Sequence, residues 1–175
     1  MNEGKTAGEL MIPLDKYPHI PYWFTLRQAM AEITNSEIEI DGQKSLPRII
    51  LVFDEKYRLM GMARRRDIMR GLEPEFLSKG SADYSKKLFD VEVDPNLSEI
   101  SYDRLLKTLR ERAETPISTV MIPIAKTVNH DDHITKIIYE MVSSDLSLLP
   151  VLKDDKVAGV VRSVDVFREI ARHIL

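Results

Sequence analysis

The chain contains no cysteine. That excludes disulfides and thiolate chemistry and fits a reducing compartment. No apolar run approaches the roughly 18–20 residues that span a bilayer. The opening MNEGKTAGEL has no apolar segment after a basic one, so no signal peptide is expected and the reading is cytoplasmic. No Ser/His/Asp signature, glycine-rich phosphate loop or metalloprotease motif occurs, which leaves an enzyme the least supported class. An excess of positive charge is also missing. The formal net charge is −3, so the run Arg64-Arg65-Arg66 stands in an acidic chain. Nucleic-acid binders usually carry a basic balance or stripe, and the acidic balance argues against that use of the run.

What is present reads as soluble and globular. In 175 residues, 43% are apolar and 30% charged, enough for one fair-sized domain or two small ones. The last third has a regular order. "TVMIPIAKTV" (119–128) predicts a strand segment. "NHDDHITKIIYEMVSS" predicts a helix with Ile134, Ile137, Ile138, Met141 and Val142 at helical spacing and Asp131 or Asp132 as cap. "SLLPVL" (147–152) and "VAGVV" (157–161) predict strands around the turn "KDDK". Ser163 is a candidate cap for a final helix with the stripe Val166, Phe167, Ile170, Ala171 and Ile174.

The first third repeats that order. Met-Ile-Pro recurs at 11–13 and 121–123. Thr25 precedes a helix with Leu26, Ala29, Met30 and Ile33 on one face. "NSEIEIDGQKS" predicts a polar loop, "PRIILVF" (47–53) and "RLMGMA" (58–63) two strands, and "RRRDIMRG" a helix that Gly71 ends. "GMARRRDIM" (61–69) matches "GVVRSVDVF" (159–167): both read Gly-x-x-Arg-x-x-Asp, with the aspartate six residues after the glycine. Such repetition indicates two copies of one supersecondary unit burying their faces on each other. Residues 73–115 form an insertion, with a helix expected around Tyr84–Phe89 and a second carrying Tyr102, Leu105, Leu106, Leu109 and Ala113. It reads as an ordered linker, with a dimer surface or a ligand mouth as other roles.

The repeated element carries a chemical suggestion. Glycine within a strand marks close approach of a backbone or a ligand. Aspartate suits the positive end of a helix, whereas arginine there makes sense if an anion binds beside it. An aspartate would repel phosphate but suits hydroxyls. Arginine for phosphate and aspartate for ribose together suggest a nucleotide. His130 and His133 bracket two aspartates, but the polar start of a helix explains them better than a metal. Tyr22-Trp23-Phe24 is read as core or subunit contact.

Both thirds resemble CBS domains, modules named after cystathionine β-synthase that occur in tandem. The resemblance covers about 10–72 and 116–175 and rests on the element order and on "VMIP…TV…PV…GVVRSVDVF". It implies an α+β fold of two β-α-β-β-α motifs, 1–72 and 116–175, packed as a pseudo-symmetric pair with the helical insertion between. It further implies an adenosine ligand (AMP, ADP, ATP or S-adenosylmethionine), no metal and no catalysis, a disc-like homodimer, and an effector protein whose identity is unknown. Carried over, Asp67 and Asp165 match the ribose position. Arg64 and Arg162 stand where the family has Thr or Ser, with Arg65 and Ser163 following. Thr127, Val128 and Leu149 match the base-contacting region. In the first copy, Arg48 after Pro47 stands where the second has Val151. The function expected is a regulatory or sensor module without membrane contact, with an interaction scaffold whose nucleotide site has decayed as the alternative.

Overall fold

The computed structural model describes residues 4–75 and 101–175. The helix expected around Tyr84–Phe89 lies outside them. The first copy holds β2 (His19–Pro21), α2 (Leu26–Asn35), β5 (Ile49–Phe53), β6 (Leu59–Arg64) and α3 (Arg65–Leu72). The second holds β8 (Val128–Asn129), α5 (Ile134–Ser143), β9 (Leu148–Lys153), β10 (Lys156–Arg162) and α6 (Ser163–Ile174). Before them come α1 (Ala7–Leu10) and β1 (Ile12–Pro13), and between them α4 (Tyr102–Arg112) and β7 (Ile122–Pro123). The β-α-β-β-α order read from the sequence is present twice.

The two copies are interlocked by exchange. One sheet runs β2-β5-β6-β7 and the other β1-β10-β9-β8. Each short Met-Ile-Pro strand therefore completes the other copy's sheet. Ile12 and Pro13 lie opposite Val160 and Gly159, while Ile122 and Pro123 lie opposite Met62 and Gly61. The glycines are required by this approach. A Cβ on Gly61 would fall 2.5 Å from the Ile122 carbonyl oxygen, and one on Gly159 would meet that of Ile12. Of the two readings for a strand glycine, backbone approach is the one observed.

Strand alternation divides the core into three parts. Ile50, Val52 and Ala63 face α2 and α3, joined by Leu26, Ala29 and Ile68. Val128, Leu149, Val151 and Val161 face the other way, onto Ile137, Met141 and Val166. Between the sheets, Ile49, Leu51, Phe53 and Met62 meet Ile12, Leu148 and Val160. Helices thus lie outside and the two sheets share a central layer. The insertion helix α4 is capped by Ser101 and delivers Ala113 and Thr115, whose carbonyls accept from Arg27 and Leu26 at 2.9 and 2.8 Å.

Several local expectations need correction. "NSEIEIDGQKS" is not a plain polar loop but a β-hairpin, β3 (Ile38–Ile40) and β4 (Gln43–Ser45). Its Asp41-Gly42 turn has positive φ at both residues (51° and 75°), the conformation a two-residue hairpin loop needs. His133, not Asp131 or Asp132, precedes α5. Asp132 instead accepts from the Asn129 N–H at 2.7 Å, folding the loop before the helix. Arg162 precedes α6, making Ser163 its first residue. Gly71 does not end α3 but lies within it, packed under Val120 and Leu26. The α6 stripe splits. Val166 and Ile170 enter the core, while Phe167 and Ile174 are exposed, because only one narrow face of the helix meets the sheet.

Candidate functional site

The strand-to-helix junctions of the two copies face each other across a cleft of about 470 Å³. From the first copy come Tyr17, Ser45, Leu46, Arg48, Ile49 and Arg65. From the second come Ser147, Leu148, Arg162, Ser163 and Val164. The lining is nearly two-fold related. Ladder register pairs Ile49 with Arg64 and Leu148 with Arg162, so Arg48 is the counterpart of Ser147. This corrects the alignment of Arg48 with Val151: Val52 and Val151, each opposite its glycine, are the true counterparts. The local folding is also equivalent, since the Arg65 N–H donates to the Arg48 carbonyl and the Ser163 N–H to that of Ser147.

The lining contains three arginines and no carboxylate. Arg65 donates through Nη2 to the Pro47 carbonyl at 3.0 Å. Neither it nor Arg48 is in an ion pair with a described carboxylate, and both are exposed. Tyr17 is buried and donates to the Ile49 carbonyl at 2.6 Å; burial pushes its hydroxyl pKa up. Helix α6 has no side chain capping its first turn.

Arg64 and Arg162 solve the problem of a cation at a helix start in another way. Each precedes its helix and grips the aspartate three residues on. Arg64 donates to Asp67 through Nε at 2.7 Å and Nη2 at 2.9 Å, and its backbone N–H adds a bond at 2.9 Å. Arg162 binds Asp165 through Nε at 2.7 Å and Nη2 at 2.9 Å. Hydrogen bonds from Arg64 hold the Asp67 carboxyl below the usual carboxylate range, and the same bonds raise Arg64. Asp67 is fully buried and Asp165 nearly so. Among the described residues no buried side-chain polar atom lacks a partner.

Residues 117–172 match the family model described as CBS domain. That match spans the second copy. The chain's fold over nearly the whole length is that of CBS pairs. A CBS domain-containing protein of unknown function from Kribbella flavida is 13% identical, with a TM-score of 0.67, covering 95% of this chain and 98% of that one. The CBS-pair protein CBSX2 of Arabidopsis thaliana, in its complex with AMP, is 14% identical, with a TM-score of 0.62, covering 98% and 100%. The cytosolic domain of the Mg2+ channel MgtE in complex with ATP is 20% identical, with a TM-score of 0.56, covering 93% of this chain and 48% of that one. No curated protein sequence matches.

Within this fold the residues singled out from the sequence fall into separate places. Arg65, Arg162 and Ser163 line the cleft. Asp67 and Arg64 lie beside it but not in its wall, and Asp165 borders a smaller recess of about 90 Å³ with Lys5, Ile40 and Arg172. Val128 and Leu149 are in the helix-side core, and Thr127 is exposed. Leu148, one residue before Leu149, faces the cleft, because successive strand residues alternate sides. Arg48, Ser45, Tyr17 and Ser147 were not singled out as ligand contacts. Counting each strand back from its glycine would have found Arg48 and Ser147. His130 packs against Gly8, and no group of three metal-ligating side chains exists among the described residues. No helix among them is long and apolar enough to cross a membrane.

Proposed function

We propose that this protein is a non-catalytic regulatory CBS pair that binds an adenine nucleotide in the cleft between its motifs. The observation carrying this is the cleft itself, sized for a small ligand and lined by arginines without any carboxylate. Phosphates go to Arg48 and Arg65, whose forked donors match phosphate oxygens, and to the uncapped first turn of α6 just after Ser163. The base lies against Leu46, Ile49 and Leu148. The AMP and ATP bound to CBSX2 and to the MgtE domain support the ligand class. S-adenosylmethionine, with its sulfonium and ammonium cations, suits this lining less well than a nucleotide. The ligand would act by favouring one arrangement of the pair, or of a homodimer, and so alter contacts with an effector protein. One observation favours the scaffold reading for the first motif alone: Asp67 is wholly engaged within the chain.

The experiment is a thermal-shift and calorimetric comparison of AMP, ADP, ATP and S-adenosylmethionine on the wild type and on Arg48→Ala/Arg65→Ala. Nucleotides stabilise the wild type, and the double variant loses at least tenfold in affinity. If no nucleotide binds, the sensor reading falls and the scaffold reading replaces it.

A further inference from the structure

The two repeat carboxylates are engaged to different extents. On Asp67, Oδ2 accepts from the backbone N–H and Nε of Arg64, and Oδ1 from Nη2 of Arg64 and Nη2 of Arg70. A carboxylate offers about four lone-pair sites, so Asp67 has none left. Among the described residues Asp165 is bonded by Arg162 alone, with Arg168 Nη1 3.7 Å away. Arg162 also donates through its remaining nitrogen, Nη1, to Ser45 Oγ at 2.9 Å. Ser45 ends β4, so the hairpin inserted in the first motif reaches across to fix an arginine of the second. Arg162 lines the cleft wall, whereas Asp165 does not.

We infer that Arg162 determines the specificity of the cleft. By forming the cleft wall from which Asp165 is absent, it leaves the sugar hydroxyls of a bound nucleotide unread, so selection is made on phosphate. Asp165 keeps about two lone-pair sites, but its carboxylate is nearly buried and outside the cleft wall that Arg162 forms, so a hydroxyl in the cleft reaches it only if Arg162 moves. The ligand class is thus a compound recognised by its phosphate groups, with ribose and deoxyribose treated alike. The inference rests on the cleft reading above and deepens it.

The test is calorimetry on the full chain with ATP, 2′,3′-dideoxy-ATP and inorganic triphosphate at one ionic strength. The wild type binds all three, and its affinities for the two nucleotides agree within about threefold. Arg162→Thr frees Asp165 and acquires at least a tenfold preference for ATP over the dideoxy form. Ser45→Ala, which keeps the ion pair but loosens it, shifts the ratio in the same direction and serves if Arg162→Thr does not fold. A tenfold preference for ATP in the wild type, or an unchanged ratio in the folded variants, overturns the inference while the nucleotide reading stands. Binding of triphosphate without ATP overturns the nucleotide reading and leaves phosphate selection standing. Binding of neither overturns both.

Discussion

Pro13 lies opposite Gly159 in an antiparallel pair that joins the N-terminal segment to the second motif. Pro123 repeats the relationship with Gly61 in the other direction. Each motif therefore depends on a strand supplied from outside its own β-α-β-β-α unit. The backbone oxygen preceding each proline sits where a side chain would start, so the glycines hold the exchange closed.

Gly159→Ala and Gly61→Ala are expected to destabilise by about 1–3 kcal/mol each, the usual cost of overpacking a tight site. The clash is with backbone, which cannot swing away. Gly71→Ala is the contrast. Its Cβ would lie 2.7 Å from Val120 Cγ1 and 2.8 Å from Leu26 Cδ1, both side-chain atoms. Alanine also recovers up to about 1 kcal/mol of helix propensity there. Urea unfolding of the three variants should rank Gly71→Ala as the mildest; equal stability of Gly159→Ala and wild type would mean the exchanged strand is not tightly held.

The repeat itself was legible because it is written twice: the Met-Ile-Pro, the glycine and the aspartate all recur in order. That the Met-Ile-Pro strands exchange was not legible, since pairing partners 60 to 148 residues apart leave no local periodicity. Hairpin 38–45 did leave a signal, an Asp-Gly between Ile-Glu-Ile and Gln-Lys-Ser, but its strands are short and only Ile38 in them is buried. The site was legible by residue type and less so by orientation. Leu149 and Leu148 are equally apolar, and only strand register tells which faces the cleft. An arginine and an aspartate at i and i+3 pair readily at a helix start, a spacing that accounts for Arg64 and Arg162 without any anion.

Removing Arg64 should cost more than a surface ion pair would. Asp67 has no solvent access, so Arg64→Ala leaves a buried charge with Arg70 as its one remaining side-chain partner. A loss of about 2–4 kcal/mol is expected, near the lower end for breaking buried pairs because Arg64 itself is partly exposed. Asp41→Asn, which keeps a residue that tolerates the positive φ of the turn, breaks only the exposed pair with Arg172 and should change stability by less than about 1 kcal/mol. Denaturant midpoints compare them directly; equal effects would mean that burial of Asp67 is not maintained in solution.

The depressed pKa of Asp67 fixes the sign of an acid effect. Its stabilisation is fully present above the unfolded aspartate value of about 3.9 and is lost as pH falls through the folded value. The unfolded chain binds more protons in that window, so stability rises with pH there. Glu169, lowered chiefly by its hydrogen bond from Lys5, adds to the same trend. Melting temperatures of Asp67→Asn and wild type should therefore differ most above pH 5 and converge towards pH 3. A constant gap across that range would remove Asp67 from the acid response.

The proposed homodimer has a concrete surface to test. On α6, Val164, Phe167 and Ile174 recur at helical spacing and are exposed; on the neighbouring α5, so are Tyr139 and Val142. Phe167 points away from the core that Val166 enters, and its fractional exposure is 73%. Burying such a side chain in an interface is worth about 1.5–3 kcal/mol, and a two-fold axis counts it twice. Phe167→Glu places a charge there instead, with no core contact to lose. Sedimentation equilibrium should show dimers of the wild type and monomers of Phe167→Glu, with the monomer's unfolding midpoint changed little apart from the loss of association. A wild type that stays monomeric at high concentration rules out this surface as a self-association face, and a variant that still dimerises places the interface elsewhere.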